Sequence, residues 1–427
     1  MEENQNQDIE FIKEKVKERP LNRKKLLKRT ILTASMAVIF GLIACLTFLV
    51  LEPVFTNLLY PEEEPQQVEL KEENINEEMR PEDMILEEET ETEPPAILQQ
   101  TFVEKVELEL SDYQRLHRLM YALTQQTSEF MVTVVGVETD QDWFNNTYEN
   151  QGQSAGMIVA ENGKELLILT DYATIADVDS VDVILFDGTQ TEAQLKGVDQ
   201  ETGFAIVSIS FENLGETTKE SIQTATLGGS GSSLLGSPVI ALGRPLGTSA
   251  SVVYGMVTST DTWENLADHN VRILTTDMIG SGSGVLINLS GQVVGILCPQ
   301  KSASSKNTLL TAYGITDLRK IIEKLSNGQE IAHMGVLGTD VPVEVNEELG
   351  VPLGAYVTEI RMDSPAMQAG IQSGDVIVKL GTTEITSFAD YQDAIMNLSP
   401  ESTVTVEIMR QGVEEYQEVP IDVILGR

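Results

Sequence analysis

Cysteine is nearly absent from this chain, which has two in 427 residues, Cys45 and Cys298. Cys45 lies inside a charge-free apolar run and Cys298 far beyond it, so they cannot pair, and stability must come from packed cores. Neither has a neighbour at metal-ligand spacing, so no metal site and no cofactor is expected. Basic residues are also scarce: 28 stand against 67 acidic ones, a formal net charge of −39. Such a surface repels phosphate backbones and excludes nucleic acid as an expected partner. Histidine occurs only at His117, His269 and His333, so base chemistry near neutral pH has few carriers.

What is present begins with an uncharged apolar run from Thr30 to Leu51, close to the roughly 20 residues that a bilayer core requires. Arg23, Lys24, Lys25, Lys28 and Arg29 precede it and Glu52 follows. The positive-inside bias therefore predicts one transmembrane helix over 30–51, with the basic arm 1–29 in the cytoplasm and the main domains extracytoplasmic. A cleaved signal peptide fits less well, because the run is long and no small-x-small site follows it. Residues 52–110 read as an acidic linker, with Lys71 and Arg80 the sole basic residues between Glu62 and Glu93. Pro61 to Pro95 has too little apolar surface to offset chain entropy, which predicts a disordered, self-repelling tether that acts as a spacer.

From Ser111 the pattern changes. Leu116, Leu119, Met120 and Leu123 recur at helical spacing. Short apolar or alternating runs follow, from Phe130 to Val137, Gly156 to Val159, Leu166 to Leu169, Val181 to Phe186, Ala205 to Ile209, Pro238 to Leu242, Val252 to Val257, Val285 to Asn288 and Val293 to Leu297. Many short strands with little helix between them predict a mainly β fold of antiparallel barrels over 111–328, closed by a helix from Ile315 to Leu325. Residues 332–427 are compositionally separate and read as an α+β domain, with a helix from about Phe388 to Leu398 before two last strands.

Several patterns agree in order and spacing with one family. Gly197 to Ile206, Leu235 to Gly247, Tyr254-Gly255-Met256-Val257, Thr276-Asp277 and Val285 to Ile296 resemble the trypsin-like serine proteases of the HtrA/Deg family. Ser364-Pro365-Ala366 with Ala369-Gly370-Ile371, and Gly374-Asp375-Val376-Ile377, are similar to that family's PDZ domain. The resemblance spans about Leu110 to Val423. It implies a two-barrel protease domain followed by a PDZ domain, membrane anchoring or export, and a homotrimer or mixed assembly with an active relative.

The same register implies that the chemistry is lost. Thr170-Asp171-Tyr172-Ala173 puts Ala173 where the family has its catalytic histidine, and Gly203 falls on the aspartate position. In Gly280-Ser281-Gly282-Ser283-Gly284 the nucleophile position falls on Gly282. The loop before it is about three residues short, which disturbs the amides of an oxyanion hole. A hydroxyl without a base is a poor nucleophile, so the expected protein is a pseudoenzyme. The alternative is an active endopeptidase with a rearranged site using Ser281 or Ser283. Each histidine reads as a surface or helix-face residue, however, and no lysine lies in the loops before Ser281.

His333-Met334-Gly335-Val336 lies where the family's PDZ domain has its carboxylate-binding loop. Peptides or protein C-termini are thus the implied ligands, with Met334 and Val336 lining an apolar pocket opposite Ile395. The implied role is a scaffold, sensor or regulator in envelope protein quality control.

Overall fold

The computed structural model describes residue 36 and residues 65–70, 109–141, 147–247, 250–298, 309–413 and 415–427. The basic arm, the predicted span over 30–51 except Met36, and most of the acidic linker lie outside the described residues. Among the described residues no helix is long and apolar enough to cross a membrane.

Part of the linker differs from the expected tether. Pro65–Leu70 runs along the first barrel and its closing helix, with the Gln66 amide on the Asn162 carbonyl at 3.2 Å and Asn327 clamping both backbone groups of Val68 at 3.0 Å. Val68 is an apolar residue in an acidic stretch. Its burial at 8% exposure, with the backbone polar groups satisfied, holds this piece where composition predicts none.

Helix α1 (Leu110–Thr127) starts at a capping box in which Glu109 and Asp112 exchange side-chain and backbone bonds. Its buried face is Met120, Leu123, Thr124 and Thr127, whereas Leu116 and Leu119 point to solvent. The apolar spacing located the helix but misassigned part of its packed face.

Two six-stranded barrels follow. The first closes in the order β1-β2-β3-β6-β5-β4, from β1 (Met131–Gln141), β2 (Thr147–Glu161), β3 (Glu165–Asp171), β4 (Ser180–Ile184), β5 (Gln190–Asp199) and β6 (Phe204–Ser210). Leu166 to Leu169 and Ala205 to Val207 are buried on both faces, so their apolar runs are continuous and not alternating. After the short helix α2 (Glu216–Ser221), the second barrel closes as β10-β11-β12-β9-β8-β7. Its strands are β7 (Pro238–Arg244), β8 (Ser251–Leu266), β9 (His269–Ile279), β10 (Ser283–Ile287), β11 (Val293–Leu297) and β12 (Leu309–Gly314). Helix α3 (Ile315–Ser326) buries Ile315, Leu318, Ile322 and Leu325 at i, i+3 and i+4 spacing.

Strands β8 and β9 form a long arm beyond the barrel. Thr262 to Leu266 pairs with His269 to Ile273 around a two-residue turn, Ala267-Asp268, and Arg272 stacks on Trp263 at 4.5 Å. Asp268 has φ 62, a left-handed conformation that Asp tolerates better than most residues.

The last domain is a sheet in the order β13-β14-β15-β17-β18, with β16 (Thr383–Glu384) paired to β15. Its elements are β13 (Val336–Asp340), α4 (Val343–Leu349), β14 (Ala355–Ile360), α5 (Pro365–Ala369), β15 (Val376–Leu380), α6 (Phe388–Met396), β17 (Thr403–Gln411) and β18 (Tyr416–Ile424). The motif residues act locally. Ser364 caps α5 by accepting the Met367 amide, and buried Asp375 takes a bidentate pair from Arg410 with both bonds at 2.7 Å.

Candidate functional site

The positions that the resemblance assigns to the catalytic residues lie in two places, Ala173 and Gly203 on adjoining turns of the first barrel and Gly282 in the loop before β10 of the second. A 3₁₀ turn after β3 carries Ala173, and Asp171 fixes it by accepting the Ala173 amide at 3.0 Å. The β5–β6 turn is organised by Asp199, which accepts from the amide and hydroxyl of Thr202. It ends at Gly203 with φ 77. The Gly203 carbonyl accepts the Tyr172 amide at 2.8 Å, so the base and orienting positions are neighbours through backbone. Burial raises the pKa of Asp171, an effect that the Ala173 amide partly offsets.

Gly282 is packed shut. Its amide donates to the Pro245 carbonyl at 3.0 Å, so it cannot also face an oxyanion. A Cβ built at Gly282 would lie 1.7 Å from the Arg244 carbonyl oxygen and 2.6 Å from the Gly247 nitrogen. The short loop after Ile279 lays 280–282 directly against the turn that follows β7. No side chain fits at this position without moving that turn.

The two serines part company. Ser281 is exposed in the loop. Ser283 begins β10 opposite Arg244, and its hydroxyl accepts the Ala155 amide of the first barrel at 2.8 Å. Beside it a cavity of about 20 Å³ is walled by Met131, Leu169, Thr170, Asp171 and Phe204 among others. That is room for one water and not for a peptide. No histidine or lysine lines it.

The three histidines are engaged elsewhere. His117 on α1 packs edge-on to Tyr113 of the same helix and to Tyr254 of β8. His269 and His333 are not the surface residues expected, because the β8–β9 arm carries one of them to the last domain and meets the other there. His269 is buried, with Nε2 at 3.0 Å from the Asp317 carbonyl and Nδ1 at 2.9 Å from the Gln392 amide, and burial lowers its pKa. His333 Nδ1 lies 2.8 Å from Asp268.

This junction assembles a polar cluster that sequence reasoning missed. Residues 333–336 make a tight turn, with Gly335 at φ 89 and its position so close to Ser364 that a Cβ would come within 2.3 Å. The Asp268 carboxylate accepts the amides of Met334 and Gly335 at 2.7 Å and of Val336 at 2.9 Å. Tyr391 on α6 donates its hydroxyl to the same carboxylate. Burial alone would raise the Asp268 pKa; the bonds from His333, Tyr391 and the Gly335 amide outweigh it and hold the group below its ordinary value. The same bond to Asp268 raises His333, against the opposing effect of burial.

Met334, Val336 and Ile395 are fully buried in the core of the last domain. Beside the cluster a cleft of about 560 Å³ separates this domain from the first barrel and α3; Asp268, His333 and Ile395 lie in its wall, whereas Met334 and Val336 do not. No sequence signal marks Asp268, because an Ala-Asp hairpin turn reveals nothing about what its side chain will touch.

Comparison with known proteins accords with both halves. Residues 154–296 match the family described as trypsin-like peptidase domain, and residues 335–421 that described as PDZ domain. Serine protease Do-like HtrA of Lactococcus lactis is 28% identical over 320 residues, covering 69% of this chain and 76% of that protein. Serine protease Do-like HtrB of Bacillus subtilis is 31% identical over 312 residues, 66% of each. A periplasmic, DegP-like serine endoprotease of Pseudomonas fulva is 30% identical over 286 residues, 64% of this chain and 56% of that protein. Among solved structures, the HtrA-type protease AlgW with a decapeptide shares the fold at 22% identity and a TM-score of 0.51, over 72% of this chain and 98% of that one.

Proposed function

We propose that this chain, which belongs to the HtrA/Deg family of trypsin-like serine proteases with a C-terminal PDZ domain, works by binding proteins and not by cutting them. It is a membrane-anchored member that engages peptides or protein C-termini through its PDZ domain, as a scaffold, sensor or regulator in envelope protein quality control. The observation that carries the loss of proteolysis is the approach at Gly282, where the Arg244 carbonyl occupies the space of a Cβ. A nucleophile at that position and this backbone cannot coexist. Ala173 and Gly203 then supply neither a base nor a carboxylate to orient one, and losing a base or nucleophile alone costs on the order of 10⁶ in kcat in a well-studied serine protease. Ser283 is committed to the Ala155 amide, and Ser281 stands exposed to solvent in its loop.

Anchoring rests on the uncharged run from Thr30 to Leu51 and the basic arm before it. Placement outside the cytoplasm accords with that orientation and with relatives named as periplasmic. Peptide binding is supported by the match to PDZ domains and by the relative solved with a decapeptide.

Treatment of the full-length protein with a fluorophosphonate probe tests the chemistry, and the expected result is no labelling at Ser281 or Ser283. Labelling of either serine, abolished by its substitution with alanine, would replace this reading with that of an endopeptidase using a rearranged site.

A further inference from the structure

A carboxylate already sits in the loop that the sequence marks as a carboxylate cradle, and it belongs to this chain. Three successive amides, of Met334, Gly335 and Val336, converge on the two oxygens of Asp268 at 2.7 to 2.9 Å. Backbone nests of this kind capture the C-terminal carboxylate of an extended peptide. The strand edge beside the nest is engaged as well. In the sheet β13 pairs only with β14; along its other edge the Asp268 amide donates to the Val336 carbonyl at 2.7 Å and the Asn270 side chain to the Gly338 carbonyl at 3.0 Å. The tip of the β8–β9 arm therefore stands where an added peptide strand would begin.

We propose that Asp268 is a built-in surrogate for a C-terminal carboxylate, so that the PDZ site is closed in cis and admits a free protein C-terminus only in exchange for the Asp268 side chain. The proposal rests on the peptide-binding reading above and deepens it.

Chemistry favours exchange over simple opening. Asp268 is 7% exposed and every hydrogen-bonding direction around it is met by a donor, from the three amides, His333 and Tyr391. Withdrawal of the carboxylate leaves those amides, the phenol and the imidazole facing an emptied polar site, which is costly until another anion enters. A carboxylate restores all of these bonds, whereas an amide or an apolar chain end restores few. Room for the incoming chain exists beside the nest, where the cleft of about 560 Å³ has Asp268, His333 and Ile395 in its wall. That volume lies within the range of ordinary ligand sites.

The test uses the full-length protein and two fluorescein-labelled decapeptide pools of random sequence, one with free C-termini and one amidated. Binding is read by fluorescence anisotropy for wild type, Asp268→Ala and Asp268→Asn. The apparent dissociation constant is the intrinsic one divided by the fraction of molecules that are open, so the free-acid pool should bind both variants about ten-fold or more tighter than wild type. The amidated pool should gain nothing. Equal affinity of the free-acid pool for all three proteins would overturn closure in cis while leaving the PDZ domain a peptide binder. Absence of binding to every folded protein would overturn both readings and leave Asp268 as an interdomain clamp. If Asp268→Ala fails to melt cooperatively, the nearly isosteric Asp268→Asn decides; loss of folding in both would likewise mark a clamp and sink the exchange.

Discussion

Ala173 and Gly203 in the first barrel and Gly282 in the second hold the positions that the resemblance assigns to base, orienting acid and nucleophile, and in each barrel backbone groups close directly on them. Between the second barrel and the PDZ domain, a carboxylate, an imidazole, a phenol and three amides meet in a space that excludes most water. At the first three positions there is backbone contact and no ionisable side chain. The junction has gathered reactive side chains and satisfied all of them. The two places thus differ physically: one presents backbone and no ionisable side chain, and the other gathers ionisable side chains that bond to one another.

The largest expected effect lies at the nucleophile position. Gly282→Ser must push its Cβ against the Arg244 carbonyl, and overpacking of this kind typically destabilises by about 1–3 kcal/mol. Thermal melting should show the loss, and the triple variant with Ala173→His, Gly203→Asp and Gly282→Ser should cleave labelled casein no faster than wild type. Proteolysis by the triple variant would break the comparison, because it would make the frame merely dormant.

The junction at Asp268 offers a titration. The bond to Asp268 raises the His333 pKa, so the stability it contributes is fully present below the ordinary histidine value and is lost as pH rises through the raised one. Asp268 is lowered, so its contribution is present above the ordinary carboxylate range and is lost as pH falls through the depressed value. The stability difference between wild type and Asp268→Asn should therefore be greatest at mildly acid pH and shrink toward alkaline pH. The groups that face His333 are Asp268 and, at longer range, Asp199. Followed by NMR, the His333 imidazole should titrate at lower pH in Asp268→Asn; an unchanged midpoint would show that the pair does not form in solution.

The smallest effect is expected at Ser283→Ala, which removes one neutral acceptor from the Ala155 amide and should lower stability by about 0.5–1.5 kcal/mol. A larger loss would mean that the link between barrels depends on this hydroxyl more than a single bond allows.

Much of the fold was legible because the barrels are built from continuous or alternating apolar runs, such as Leu166 to Leu169, whose burial leaves a mark on composition. Strands β5, β9 and β12 were not read, since the first is polar and partly exposed and the other two mix Thr, Asn and Arg with apolar residues. The assignment of Ala173, Gly203 and Gly282 to the triad positions rests on register alone. That Gly282 is sealed was not legible, because the Arg244 carbonyl lies 38 positions away in sequence and its approach depends on how two loops lie together.

The sequence by itself determined the inventory: two barrels' worth of apolar runs, a PDZ domain, a charge of −39, and only three histidines, none of them in the Thr170 to Ile175 motif. These are properties of residue type and local spacing, which a linear chain displays directly. Only the tertiary structure decided what those residues face. It brought Asp268 to amides 66 to 68 positions away and Tyr391 to the same carboxylate from 123 positions away. Hydrogen bonds of that separation form because rigid strands and packed cores fix the distance between their ends, and nothing in the local sequence of an Ala-Asp turn encodes it.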